Sequence, residues 1–141
     1  MPITPYLFFE GQAEEAIAFY GQAIGAEATM KMRYSDSPQP PPPGAMPPGS
    51  ETKLMHAELR IGDATLMVSD GHCGGAAKFS GFGVSLPARD AAEAHRFFTG
   101  LSDGGEVRMP ISATFFSPAF GMVQDRFGVL WMIGVFEERP S

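Results

Sequence analysis

Apolar and polar residues alternate over residues 53–61, with Met55, Ala57, Leu59 and Ile61 on one side and Leu54, His56, Glu58 and Arg60 on the other. This is the period-2 pattern of a half-buried strand, whose first set should pack beneath helices. Gly62-Asp63 supplies a tight turn and residues 64–69 a return strand, so 53–70 reads as a β-hairpin. Upstream, residues 3–9 form a short aromatic and β-branched run that carries Pro5. An edge or initial strand follows from it, because proline cannot donate to a ladder. Over residues 12–24, Ala13, Ala16, Ile17, Tyr20 and Ile24 fall at helical spacing, and Gly25 sits where a left-handed C-terminal residue belongs. Residues 28–34 then alternate Met30, Met32 and Tyr34 against Thr29, Lys31 and Arg33, a second strand.

The second half repeats this rhythm. Residues 82–86 predict a strand, and Asp90 followed by Glu93 predicts a capping box ahead of Ala94, Phe97, Phe98 and Leu101. Gly104-Gly105 ends that helix, and residues 106–116, 121–126 and 129–136 predict three strands, the last two joined at Phe127-Gly128. Between the second and third strands of the first half lie residues 37–50, whose seven prolines remove backbone donors and admit no regular element. It reads as a surface excursion, or as a lid or arm over a pocket or partner.

The helices align at an offset of 78, residues 12–20 over 90–98, and the hairpins at 66, with 58–62 over 124–128. The difference, 78 − 66 = 12, assigns about twelve extra residues to the first half, at the proline loop, and makes Gln124 the repeat mate of Glu58. The expectation is one 141-residue domain built on an internal repeat, 1–71 and 80–138.

Composition narrows the function classes. A net charge of −6 without a Lys/Arg cluster argues against nucleic acid, whose binding draws on basic residues. No window reaches the ~20 apolar residues that cross a bilayer, so no membrane partner is expected. Cys73 is the only cysteine, and the opening Met-Pro-Ile-Thr has no basic segment leading into an apolar run, which together predict a cytoplasmic protein.

The order of elements, with Ile3-Thr-Pro-Tyr-Leu-Phe-Phe9, Ala18-Phe-Tyr20, His56-Ala-Glu-Leu-Arg60, Leu66-Met-Val-Ser-Asp70 and Asp125-Arg-Phe-Gly-Val-Leu-Trp131, resembles the vicinal oxygen chelate superfamily. The closer likeness is to its PhnB-like branch, often labelled 3-demethylubiquinone methyltransferase-like. The resemblance implies an α+β fold of two βαβββ modules forming a cupped mixed sheet with the helices on the outer face, and a homodimer. In metal-dependent members, one ligand comes from the first strand and one from the last strand of each module. Those positions fall here on Pro5, Gly83, Met67 and Met132, none of which suits a hard or borderline divalent cation, so no metal and no cofactor are expected.

The polar face of the 53–61 strand then carries the chemistry. His56 and Glu58 are two apart and share a face, so a carboxylate can orient an imidazole as a general base. The same two side chains can equally serve as solvated strand residues. Met67, Gln124 and Met132, with Arg108 as an anion anchor, complete the expected binding positions, methionine suiting an adaptable apolar lining. Trp131 and Phe115-Phe116 would stack on a planar ligand or fill the core or a dimer interface. His72-Cys73 reads as a flexible surface segment, His95 as helix surface, and Gly71-His-Cys-Gly-Gly75 lacks the lysine and setting of a P-loop. No glycine-rich turn joins a parallel strand to a helix as nucleotide binding requires. The sequence thus points to a protein that binds a small, partly apolar metabolite or xenobiotic in a concave pocket, with or without metal-free acid–base chemistry. The alternatives are a metal-dependent lyase, isomerase or dioxygenase of the superfamily, or a non-catalytic resistance-type binder.

Overall fold

The computed structural model describes residues 3–39 and 41–136, which leaves the first two and last two positions of the expected repeat, 1–2 and 137–138, and Pro40 of the proline loop outside the described residues. The chain divides between residues 77 and 78 into two compact units. The first runs β1 (Tyr6–Phe8), α1 (Ala13–Ile24), β2 (Glu27–Arg33), β3 (Leu54–Ile61), β4 (Ala64–Ser69); the second runs β5 (Val84–Pro87), α2 (Ala91–Ser102), β6 (Glu106–Ser112), β7 (Phe120–Gln124), β8 (Leu130–Gly134). Each unit is a βαβββ module closing its own four-stranded mixed sheet, in the orders β1-β4-β3-β2 and β5-β8-β7-β6. In each, the first strand pairs parallel with the last and the other pairs are antiparallel.

β1 is an edge strand, as Pro5 requires: Pro5 has no N–H to give, and its carbonyl accepts from Met67 N–H at 3.0 Å. β6 tolerates Pro110 for the same reason, standing at the edge of the second sheet. It stops at Ser112, short of the expected 116, because Thr114 N–H turns back onto the Ser117 carbonyl and leaves Phe115 and Phe116 beyond the strand. Residues 37–39 and 41–49 carry no helix or strand, and single 3-10 turns, Tyr34–Asp36 and Ser50–Thr52, bound them.

Each helix covers one face of its sheet. In the first unit Ala16, Tyr20, Leu7, Leu59 and Val68 are buried between α1 and the sheet, and in the second Ala94, Leu101, Val123, Trp131 and Ile133 are buried with α2. Gly25 ends α1 in the left-handed conformation expected of it, φ +70. Asp90 caps α2 by accepting from Glu93 N–H at 2.8 Å. The Glu93 carboxylate, however, reaches back to Arg89 N–H at 3.0 Å, one residue earlier than a capping box has it.

Two buried aspartates hold the ends of these elements. Gln12 precedes α1 without a capping side chain, and Asp70, at the far end of β4, takes its place. Asp70 Oδ1 accepts from Gly11 N–H at 2.9 Å and Ala13 N–H at 2.8 Å, while Oδ2 accepts from Leu54 N–H at 2.8 Å. In the second unit Asp125 accepts from Phe127 N–H, Val129 N–H and Trp131 Nε1–H, which shapes the β7–β8 turn and anchors the tryptophan in the core. Trp131 is therefore a core residue and offers no ring to a ligand.

The β3 alternation holds only from residue 56 onward. Ala57 and Leu59 are fully buried on the helix side, but so is Leu54, which the alternation had set beside His56. The ladder explains it: Met32 pairs with His56 and the next pair is Arg33 with Leu54, so the register slips at Met55 and turns Leu54 inward.

Candidate functional site

The face of the first sheet away from α1 carries, in register across the strands, Tyr6 of β1, Met67 of β4, Glu58 of β3 and Met30 of β2. One pair along lie His56 opposite Met32, and on the other side Arg60 opposite Thr65. Strand alternation puts these side chains on the open face because Leu7, Ala57, Leu66 and Val68, between them, are spent on the core. Lys31 and Arg33, on the helix side of β2, pair instead with Glu14 of α1.

His56 does not bond to Glu58. Their closest approach, Nε2 to Oε1, is 3.8 Å, an ion-pair distance and longer than a hydrogen bond. The imidazole's near partner is Tyr6, whose hydroxyl lies 2.7 Å from Nδ1 with the ring centroids 5.4 Å apart. Tyr6 in turn stacks on Phe8 at 4.8 Å. Burial raises the Tyr6 phenol above the ordinary tyrosine pKa, partly opposed by a hydrogen bond with Ser69, so the hydroxyl carries its proton at neutral pH. Tyr34 is raised for the same leading reason, and its hydroxyl donates to the Gly71 carbonyl.

The second sheet repeats the register with different chemistry. Ser85 pairs with Met132, Met132 with Met122 and Met122 with Met109, matching Tyr6, Met67, Glu58 and Met30, and a ladder irregularity precedes both Met30 and Met109. Arg60, opposite Glu27, is therefore the counterpart of Gln124, opposite Glu106. The expected mate of Gln124, Glu58, corresponds to Met122, and the hairpin offset is 122 − 58 = 64, not 66. The slip arises at the turns, since β3 and β4 close through Gly62-Asp63 whereas Gln124 pairs with Leu130 across five residues. Between matched β2 and β3 positions the first unit has (58 − 30) − (122 − 109) = 15 extra residues, where twelve were expected. Arg108 and Gln124 meet, the guanidinium donating to Gln124 Oε1 through Nε at 3.0 Å and through Nη2, with Glu106 3.6 Å from Nη2. Arg108 is thus paired within its own sheet. Met132 and Met67 hold equivalent places in the two units.

A family model for 3-demethylubiquinone-9 3-methyltransferase matches residues 1–134. The chain belongs to that family. It is 36% identical to protein YjdN of Escherichia coli K12 over all of its own length and 99% of that protein's. The crystal structure of PA1353 from Pseudomonas aeruginosa is 37% identical with a TM-score of 0.82, over 98% of this chain and 99% of that one. A putative 3-demethylubiquinone-9 3-methyltransferase, a PhnB protein from Bacillus cereus, is 27% identical with a TM-score of 0.75, over 96% and 99%. A fosfomycin resistance protein from Listeria monocytogenes, 10% identical over 97% of this chain and 92% of that one, shares the fold alone at a TM-score of 0.64. The glyoxalase and fosfomycin-resistance fold and the PhnB-like branch are thus shown.

On that fold, the first- and last-strand positions of each module are Tyr6 with Met67 and Ser85 with Met132. The register moves the first-strand positions from Pro5 and Gly83 by one and two residues, because Pro5 lies before the ladder and Gly83 before β5. A phenol, a hydroxyl and two thioethers supply no imidazole or carboxylate, so this donor set does not fit a divalent cation of the usual kind. Among the described residues no three His, Cys, Asp or Glu side chains come together as metal ligands, and no helix is long and apolar enough to cross a membrane.

Sequence reasoning set His56 and Glu58 on one face and named Met67, which the register adds to that face, and it missed Tyr6, Ser69 and Tyr34. Tyr6 lies fifty residues from His56 in a strand read for its proline alone. The remaining candidates are peripheral: His95 is exposed on α2, and Cys73 stands at a positive φ of 54 with burial raising its thiol pKa.

Proposed function

We propose that the open face of the first unit binds a small, partly apolar molecule and that Tyr6 and His56 exchange a proton with it without a metal. The observation that carries this reading is the 2.7 Å contact between a phenol and an imidazole on a sheet face that also carries Met30, Met32, Met67 and Phe8 beside Glu58. Thioethers and aromatic rings adapt to apolar ligand surface, and the polar pair supplies orientation and acid–base capacity. Glu58 Oε1 stands 3.8 Å from the other imidazole nitrogen, Nε2. The family description names a methyl transfer, which a strand-to-helix glycine-rich nucleotide turn would support. At α1 the amides of Gly11 and Ala13 are already taken by Asp70. The superfamily likeness also supports pairing with a second copy of the chain, which light scattering tests directly.

A thermal-shift screen against metabolites and antibiotics, followed by methionine-methyl NMR, tests the site. Binders should move the Met30, Met32 and Met67 methyls and lose their stabilising effect in His56→Ala. Binders that leave all three methyls in place overturn the proposal. Turnover of a binder by the native protein and not by His56→Ala supports proton transfer, whereas binding with no turnover leaves a sequestering protein.

A further inference from the structure

We infer that the open face of the second sheet holds a soft monovalent metal ion, copper(I) or its analogue silver(I), on the thioethers of Met109, Met122 and Met132. This site goes beyond the binding face proposed above, since it uses the other unit and other side chains.

Met109 of β6, Met122 of β7 and Met132 of β8 pair directly across three neighbouring strands, so their side chains stand in one row. The row lies on the face away from α2, because Val123, Trp131 and Ile133, between its members, are buried with the helix. Met109 is 43% exposed and the other two are half-buried, so the thioethers are open to an ion from solvent. The ladder is bent to build this row. In unbroken antiparallel register, Val107 opposite Val123 would be followed by Arg108 opposite Met122; the irregularity after Val107 puts Met109 there instead. The guanidinium that regular pairing would set in the row is drawn aside to Gln124 Oε1, with Glu106 beside it. Just before β5, a Cβ on Gly83 would lie 3.4 Å from Met132 Sδ, so the bare backbone there leaves that sulfur uncovered. Neighbouring strands lie about 4.8 Å apart, a gap that the three rotatable bonds of methionine span, and the outer two sulfurs can lean over the middle one. Three neutral thioethers form a soft donor set, which selects copper(I) and leaves harder divalent cations to oxygen and nitrogen ligands. The matching row of the first sheet, Met67, Glu58 and Met30, has a carboxylate at its centre and lacks the third sulfur. The soft ion therefore belongs to the second sheet. A thioether also has no proton to shed before binding, so the site keeps its affinity in acid, where imidazole ligands are lost to protonation.

Silver nitrate titrated in chloride-free buffer into the full chain carrying Cys73→Ser, which removes the one competing thiol, tests this by methionine-methyl NMR. Each methyl is assigned by its loss in the corresponding Met→Leu variant. A single equivalent of silver(I) should move the Met109, Met122 and Met132 methyls together and leave Met30 and Met67 in place, at neutral pH and in mild acid alike. Copper(I) supplied without oxygen should do the same, and zinc(II) should move none of them. Met122→Leu keeps the volume and removes one donor. It should weaken silver binding at least about tenfold, the loss that follows even from removing a group that only orients a metal's ligand, and Met109→Leu on the exposed edge should do likewise. Movement that needs a large excess of silver, that spreads over all the methionines or that disappears in acid overturns the inference. So does an unchanged silver affinity in whichever of the two variants folds. Because the first unit's face takes no part, that result leaves the proposed binding face standing, and failure of every small-molecule binder there would leave the metal site standing.

Discussion

Removing the Asp70 carboxylate should loosen the first unit at three places at once. Asp70 is fully buried and accepts three backbone N–H groups at 2.8–2.9 Å, two at the entry to α1 and one at the start of β3. Hydrogen bonds to a charged acceptor contribute ~1.5–3 kcal/mol each, but they are not additive and a truncated site relaxes, so Asp70→Ala should cost about 3–5 kcal/mol. Asp70→Asn keeps the volume and the oxygen facing Gly11 and Ala13, and sets an amide NH2 against Leu54 N–H. That loses one bond and leaves two buried donors, Leu54 N–H and the amide N–H, facing each other, a cost of ~1–3 kcal/mol. The chain's aromatic residues separate the readouts: Tyr6, Tyr20 and Tyr34 all lie in the first unit and Trp131, the only tryptophan, in the second. Urea unfolding followed through tyrosine near-UV circular dichroism and tryptophan fluorescence should show the tyrosine transition moving first. Amide exchange at Gly11, Ala13 and Leu54 should accelerate. A loss below ~1 kcal/mol in Asp70→Ala, or an Asn variant as damaged as the Ala one, would refute the reasoning.

Gly121 faces α2 so closely that an added Cβ would stand 2.8 Å from the Phe98 ring and 2.9 Å from Ile111 Cα. Gly121→Ala should therefore cost about 1–3 kcal/mol of overpacking, read in the Trp131 transition. Tyr6 and Tyr34 should ionise above the ordinary tyrosine value of 10.0, burial being the main cause, as Tyr→Phe difference titrations of phenolate absorbance would show. Their folded values lie above the unfolded one, so the stability they contribute is complete below pH 10.0 and is lost as the pH rises through the folded values. Glu14 is held below its ordinary 4.5, first by the hydrogen bond from Arg33, against opposing burial and with help from Lys31. Its stabilisation is present above 4.5 and lost as the pH falls through the lowered value. The carboxylate is 43% exposed, so Glu14→Gln should cost no more than ~1 kcal/mol, and denaturation should show the difference shrinking in high salt and in acid.

Much of the architecture was legible along the chain because its signals are local. The period-2 run at 56–60 and the helical spacing at Ala13, Ala16, Ile17 and Tyr20 need only neighbours a few residues away, and the elements stand where these patterns put them. Asp70 is a different case. Its position after an apolar strand reads as the end of a hairpin, and nothing nearby shows that it caps a helix starting 57 residues earlier. Trp131 read equally as a stacking ring or as core until Asp125 was seen to hold its indole N–H at 2.8 Å.

The candidate site shows the same division. From the sequence came His56 and Glu58 on one face, since alternation along a strand decides which of its side chains share a side, and Met67 as a binding position from the resemblance; the register puts all three together. The sequence likewise shows no imidazole or carboxylate at Pro5, Gly83, Met67 and Met132, where the resemblance implies ligands, or at the residues next to them. Only the tertiary structure decided that His56 belongs with Tyr6 rather than with Glu58, that Leu54 turns inward, and that Gln124 answers to Arg60. Each of these depends on register, and register is set by a slip at Met55, by turns of two and five residues, and by parallel pairing between strands some sixty residues apart. Periodicity carries no information about any of them, because shifting a strand by two residues preserves its faces while changing every partner across the ladder.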